Sequence, residues 1–220
     1  MIENPQIVLI DYGIGNLYSI SRAFANFDID VIITRDPKII LDADGIILPG
    51  VGAFATAMKG LEEHNLFGIL KQVARANKPM LGICVGAQVL MTEGYEFGVY
   101  KGLDIISGKV IKFPQLDNNE KIPQIGWNTM YPKFEKYWGN TIFETINAND
   151  QVYFVHSYFL QPQNQENILA LTTYGGFKFC SAIKKDNIYG CQFHPEKSGK
   201  VGLKIIESFI SLILKNAINL

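Results

Sequence analysis

A cysteine set between two glycines is the first group in this chain that could do chemistry. Gly82-Ile83-Cys84-Val85-Gly86 follows the apolar run Pro79-Met80-Leu81 and reads as a strand turning sharply into a helix, with Cys84 at the apex. Such an apex has no room for neighbouring Cβ atoms, which accounts for a glycine on each side. The turn exposes the sulfur and aims the next backbone N–H groups, and the helix N-terminus behind them, toward it. The thiolate is the form of cysteine that attacks a carbonyl carbon. A buried, inert cysteine in a glycine-rich turn has the same signature, so a nucleophile needs a second group to identify it.

That group is a base, and the chain has three histidines. His64 lies in the polar stretch Glu62-Glu63-His64-Asn65 and reads as a solvated surface residue. His156, in Val155-His156-Ser157-Tyr158, ends a strand, where a structural hydrogen bond and a site role are both open. His194 follows Tyr189-Gly190-Cys191-Gln192-Phe193 and precedes Pro195-Glu196. Pro195 pushes the residue before it toward extended backbone, and residues two apart in extended chain face the same side. The Glu196 carboxylate can therefore hold the His194 tautomer and stabilise its imidazolium. A lone His-Pro-Glu reads as a turn. Beside a G-x-C-x-G elbow it completes a triad of Cys84, His194 and Glu196.

The elements that must position these groups follow from hydrophobic patterning. Ile7–Ile10, Val31–Ile33, Ile46–Leu48 and Met80–Cys84 are short apolar runs, separated by helical spacing over Asn16–Phe27 and from Met58 to Val73. The second helical stretch is expected to break near Gly60, and a further helix to begin near Gly86. Strands alternating with helices, the strands apolar throughout, predict a parallel sheet covered on both faces. Functional loops then lie beyond the strand C-termini, where Asp11–Gly15, Pro49–Gly52 and the Cys84 elbow fall. Strand candidates at Ile105–Phe113, Gln151–Phe159, Ile168–Tyr174, Phe179–Ile183 and Ile188–Phe193 predict a mixed or antiparallel extension. An amphipathic helix over residues 201–215 closes the chain.

The 220 residues suit one domain, and 20 basic against 21 acidic residues give no strong field for nucleic acid or membrane. No apolar run approaches the ~20 residues of a spanning helix, and the first residues lack the features of a secretory signal. Three widely spaced cysteines fit a reducing, cytoplasmic compartment, with Cys180 and Cys191 as packing residues.

The elbow and Gln192-Phe193-His194-Pro195-Glu196 together resemble the class I (triad) glutamine amidotransferases. Within that family the chain is similar to the branch formed by the glutaminase subunits of imidazole glycerol phosphate synthase. The likeness rests on Asp11-Tyr12-Gly13 with Gly15-Asn16-Leu17, Leu48-Pro49-Gly50-Val51-Gly52-Ala53-Phe54, Gly126-Trp127-Asn128, Tyr153–Tyr158 and His194–Ser198, in matching order along nearly the whole chain. Pro-Gly-Val-Gly, where most other class I glutaminases carry Pro-Gly-Gly, supports the branch.

The resemblance implies an α/β, flavodoxin-like three-layer sandwich with a mostly parallel central sheet and an antiparallel extension, as a single domain over residues 1–220. Cys84 would attack the glutamine carboxamide, His194 would move protons and Glu196 would orient it. Val85 and the Gly50, Val51 and Gly52 loop would form the oxyanion hole, with a loop peptide that reorients. Gln88 and Glu96 would recognise glutamine, and His156, Ser157 and Tyr158 would line the pocket. The implied partner is a (β/α)8-barrel cyclase that receives ammonia in a heterodimer, met near Asn16, Tyr18, Gln124, Trp127 and Asn128. No cofactor or metal enters this reading.

Some positions depart from the family pattern. Gln124 stands where histidine is common, Tyr18 replaces a frequent arginine, and Val85 and Ala87 are smaller than the usual Leu and Met. None of these is a triad member. Because Tyr18 and Gln124 fall in segments expected to meet the partner, a related glutaminase feeding a surface-sugar amidotransferase is the alternative pathway. A scaffold without activity and a stand-alone cysteine hydrolase are rivals of other classes.

Overall fold

The computed structural model describes residues 4–117, 120–133 and 138–218. The first half runs Ile7–Ile10 (β1), Leu17–Ala25 (α1), Ile32–Thr34 (β2), Pro37–Asp42 (α2), Gly45–Leu48 (β3), Phe54–Glu63 (α3), Leu66–Arg75 (α4), Met80–Ile83 (β4) and Val85–Gln88 (α5). The second half adds Glu93–Gly94 (β5), Tyr100–Lys101 (β6), Gly108–Lys112 (β7), Gln124–Thr129 (β8), Tyr131–Pro132 (β9), Gln151–His156 (β10), Tyr158–Pro162 (β11), Ile168–Tyr174 (β12), Phe177–Lys185 (β13) and Ile188–Cys191 (β14). Helix Gly199–Ile218 (α6) follows.

The main sheet has the order β2-β1-β3-β4-β14-β13-β11-β7-β5-β6, with β12 and β9 branching from β13. Its first five strands pair in parallel, and β14 to β13 begins the antiparallel portion. β1, β3, β4 and β14 are buried at every position, as expected of parallel strands with helices on both faces. β2 departs from that pattern. Among the described residues it is the sheet's edge, pairing with β1 alone, and its Ile32 and Ile33 are exposed.

Local chemistry sets the helix starts. The Asn16 side chain accepts from Ser19 N–H to cap α1, and Asp36 caps α2 with Pro37 in the first turn. The break between α3 and α4 falls at His64–Asn65, with Asn65 left-handed at φ 55°, and not near Gly60. Gly60 instead lies inside α3, where a Cβ would meet the Tyr12 carbonyl oxygen at 2.7 Å. Its role is close approach, not helix breaking. The stripe of α6 packs inward through Ile205, Ile206, Phe209, Ile210 and Ile213.

Gln151–Phe159 is two strands rather than one. The chain switches at Ser157, so that β10 pairs with β8 in a separate two-stranded ladder while β11 joins the main sheet. Phe113, just after β7, supports this switch: its N–H donates to the Ser157 carbonyl at 3.1 Å. Its ring stands 5.0–5.1 Å from those of His156, Phe159 and Phe179. Phe113→Ala is expected to lower stability by about 3–5 kcal/mol, as an aromatic deletion that leaves a cavity. Urea unfolding measures this, and a loss under 1 kcal/mol would contradict the packing role.

Candidate active site

The strand β4 delivers Cys84 and its neighbour β14 delivers His194. The two run parallel with Cys191 opposite Ile83, and Cys84 N–H donates to the Cys191 carbonyl at 2.7 Å. Cys84 itself adopts φ 54°, ψ −112°, an uncommon conformation for a residue with a Cβ. Helix α5 starts at Val85, and the Cys84 carbonyl accepts from the Ala87 and Gln88 amides. The glycines around it serve backbone contact. A Cβ on Gly82 would sit 2.7 Å from the Gly86 carbonyl oxygen, and one on Gly50 would sit 2.2 Å from the Gly86 nitrogen.

His194 Nδ1 meets Glu196 Oε1 at 2.7 Å, and both side chains are almost wholly buried. Burial alone would disfavour the imidazolium, but the nearby Cys84 and Glu196 outweigh it and raise the His194 pKa to about 9. Cys84 raises it through both hydrogen bonding and charge, and among the described residues Nε2 has no other partner that could compete for it. A thiol, an imidazole and an orienting carboxylate in this order can carry out nucleophilic attack with proton transfer.

A cavity of about 300 Å³ opens over these groups, lined by Val51, Gly52, Cys84, Val85, Gln88, Glu96, Pro123, Val155, His156, Ser157, Tyr158 and His194. Gly50 does not line it and lies beneath, against α5. Val85 is the first residue of α5, and the first amides of a helix have no acceptor within it. Glu96 Oε2 accepts from Phe54 N–H at 2.8 Å, so the carboxylate also closes the start of α3. Gln88 Nε2 donates to the Tyr158 carbonyl and to Gln192 Oε1, which leaves its own carbonyl oxygen for a ligand.

His156 is neutral: burial lowers its pKa to about 4. Its Nδ1 lies 2.8 Å from the Tyr158 carbonyl and must donate there, so Nε2 is an acceptor. Gln124 Oε1 lies 3.1 Å from Nε2, and because two acceptors cannot bond, the amide is assigned turned over, with its NH2 toward the ring. This corrects the expectation for Gln124, which is 2% exposed and forms part of the wall behind His156 instead of an outer surface. Tyr18 and Trp127 do stand at the surface, 71% and 53% exposed. Asn16 is exposed but occupied as a cap, and Asn128 Nδ2 donates to the Thr173 carbonyl.

Three features escaped the sequence reading. Gln192 is fully buried, accepts from Gln88 and brings its Nε2 to 3.9 Å from the Cys84 sulfur. Pro123 lines the cavity. Ile125 and Val155 are opposite each other in the β8–β10 ladder and share its exposed face with Trp127 and Tyr153. The period-two alternation of 124–129 and 151–156 carried that last signal.

The raised His194 pKa has a defined consequence for stability. A group whose pKa rises from ~6.5 unfolded to about 9 folded stabilises fully below ~6.5 and loses that contribution as pH rises through 9. The stability difference between wild type and His194→Asn is expected to shrink by on the order of 3 kcal/mol between pH 6 and 10. Urea unfolding across that range measures it, and a constant difference contradicts the buried pair.

Residues 8–212 match the family model described as Glutamine amidotransferase class-I. The chain is 47% identical over 210 residues to imidazole glycerol phosphate synthase subunit HisH 1 of Legionella pneumophila (strain Paris), covering 94% of this chain and 99% of that one. It is 44% identical to the HisH subunit of Geobacter sulfurreducens, covering 93% and 97%. Among solved structures, a putative GMP synthase protein from Thermoplasma acidophilum superposes with TM-score 0.71 at 20% identity, covering 99% and 97%. PurLQS from Thermotoga maritima gives 0.69 at 18%, covering 95% and 99%. These structures share the fold, and the family model and the close relatives decide membership: the chain belongs to the class I glutamine amidotransferases.

Proposed function

We propose that the protein is the glutaminase subunit of an imidazole glycerol phosphate synthase, with Cys84, His194 and Glu196 as its catalytic triad. The observation that carries the activity is the buried His194–Glu196 pair beside Cys84 at the base of a cavity edged by Gln88 and Glu96. Cys84 Sγ attacks the glutamine carboxamide carbon, and the oxyanion meets N–H groups of Val85 and the Val51–Gly52 loop. His194 gives its proton to the leaving nitrogen, and ammonia departs from a γ-glutamyl thioester. Water then attacks the thioester as neutral His194 accepts a proton, releasing glutamate and restoring the thiol. Glu196 holds the imidazole through both steps.

The pathway reading is supported by HisH-named relatives at 41–47% identity. The partner is then a HisF-like (β/α)8-barrel cyclase, in a heterodimer that channels ammonia into imidazole glycerol phosphate and aminoimidazole carboxamide ribotide. An apolar face supports the docking: Trp127, Ile125 and Val155 are exposed, and Val155 also edges the cavity mouth. Gln124, being interior, no longer speaks against this partner; Tyr18 remains a surface departure.

Two outcomes test this. Glutamine hydrolysis is expected to rise when the cyclase is added and to vanish in Cys84→Ala; equal rates with and without a barrel partner would favour a stand-alone hydrolase, and no activity under any condition a scaffold. Trp127→Ala is expected to weaken the complex by about tenfold or more in calorimetric titration, as an aromatic anchor does. Unchanged affinity would remove this face from the interface.

A further inference from the structure

Tyr12 takes no part in the reaction as described, yet it carries a buried hydroxyl with a single purpose. The residue is 1% exposed, and its hydroxyl donates to the Pro49 carbonyl at 2.5 Å. Phenylalanine would fill the same space, and among the described residues that carbonyl is the hydroxyl's hydrogen-bond partner. Burial, with Cys84 nearby, pushes the phenol well above its ordinary pKa, and it remains a neutral donor.

Pro49 ends the run of β3 and begins the Gly50–Gly52 loop. It is gripped from other sides as well. A Cβ on Gly15 would stand 2.7 Å from Pro49 Cβ, and one on Gly86 would stand 2.8 Å from the Pro49 oxygen. In a trans peptide the carbonyl and the N–H point in opposite directions. A Pro49 carbonyl held by Tyr12 therefore fixes the direction of the Gly50 N–H too. Turning this peptide over would break the Tyr12 bond and leave a buried carbonyl unpaired. The far end of the loop is under no such restraint: Gly52 has φ +82° with nothing within 4 Å of a Cβ, and Val51 is 39% exposed.

We infer that Tyr12 is a positioning residue for the oxyanion loop, its hydroxyl forming the fixed end at Pro49 and confining any reorientation to the peptides flanking Val51. The inference rests on the glutaminase reading above. The test is Tyr12→Phe in the full chain, with the cyclase partner present, followed by glutamine hydrolysis and by alkylation of Cys84 with iodoacetamide. Alkylation displaces iodide at a saturated carbon and builds no oxyanion, so it needs the sulfur and not the loop.

The expected result is a loss in kcat of about tenfold, which is about 1.4 kcal/mol in the barrier, with KM and alkylation rate unchanged within about twofold. A thermal midpoint within a few degrees of wild type shows that the fold is intact. An unchanged kcat in Tyr12→Phe beside an active wild type overturns the role of Tyr12 and spares the glutaminase reading. A parallel fall of kcat, alkylation rate and thermal midpoint also overturns it, because that is the pattern of a packing residue. A wild type that is alkylated but never hydrolyses glutamine overturns both.

Discussion

Everything at this site depends on the backbone of one residue. Cys84 is held at φ 54°, ψ −112°, where a side-chain-bearing residue is strained, and the surroundings over-determine it. Its N–H is tied to β14, its carbonyl is tied to the first turn of α5, and its flanks are pressed against other backbone. A Cβ on Gly86 would lie 1.9 Å from the Leu48 carbonyl oxygen, which shows how closely the end of β3 meets the elbow. The strain is thus carried by three parallel strands together. That arrangement turns the C-terminal ends of central apolar strands into a place where a thiol, two sets of backbone amides and a cavity converge.

The electrostatic half of the site follows from the same strand order. Because β14 lies beside β4, the chain leaving β14 brings His194 past the sulfur, and Pro195 turns Glu196 back onto the imidazole. The pair is buried, so its attraction is poorly screened, and the charged imidazolium is favoured in spite of desolvation. His156 shows the contrast. It is equally enclosed but faces a carbonyl and an amide in place of a carboxylate, and burial keeps it neutral. One histidine is suited to moving protons and the other to building a wall.

Much of this was legible in the residues. Continuous apolar runs identified the parallel strands, and the glycines around Cys84 and the Pro195 after His194 identified the chemistry. The misreadings have physical causes. Gly60 looks like a helix breaker because its contact with Tyr12 is long-range and leaves no local trace, whereas Asn65 makes the real break by adopting the left-handed conformation. Gln151–Phe159 is apolar enough for one strand, and only the pairing partners of β10 and β11 reveal the change of sheet at Ser157. Gln124 and Gln192 are polar residues buried by partners far away in sequence, His156 and Gln88, and the polarity of their side chains leaves no local sign of those partners.

The most direct measurement is acid quenching of the protein during turnover of glutamine with the cyclase partner, followed by peptide mass spectrometry. A γ-glutamyl group carried by Cys84 is the expected intermediate, absent in Cys84→Ala. Sustained release of glutamate with no acyl group on Cys84, or with the acyl group on another side chain, would contradict the assignment of Cys84 as the nucleophile.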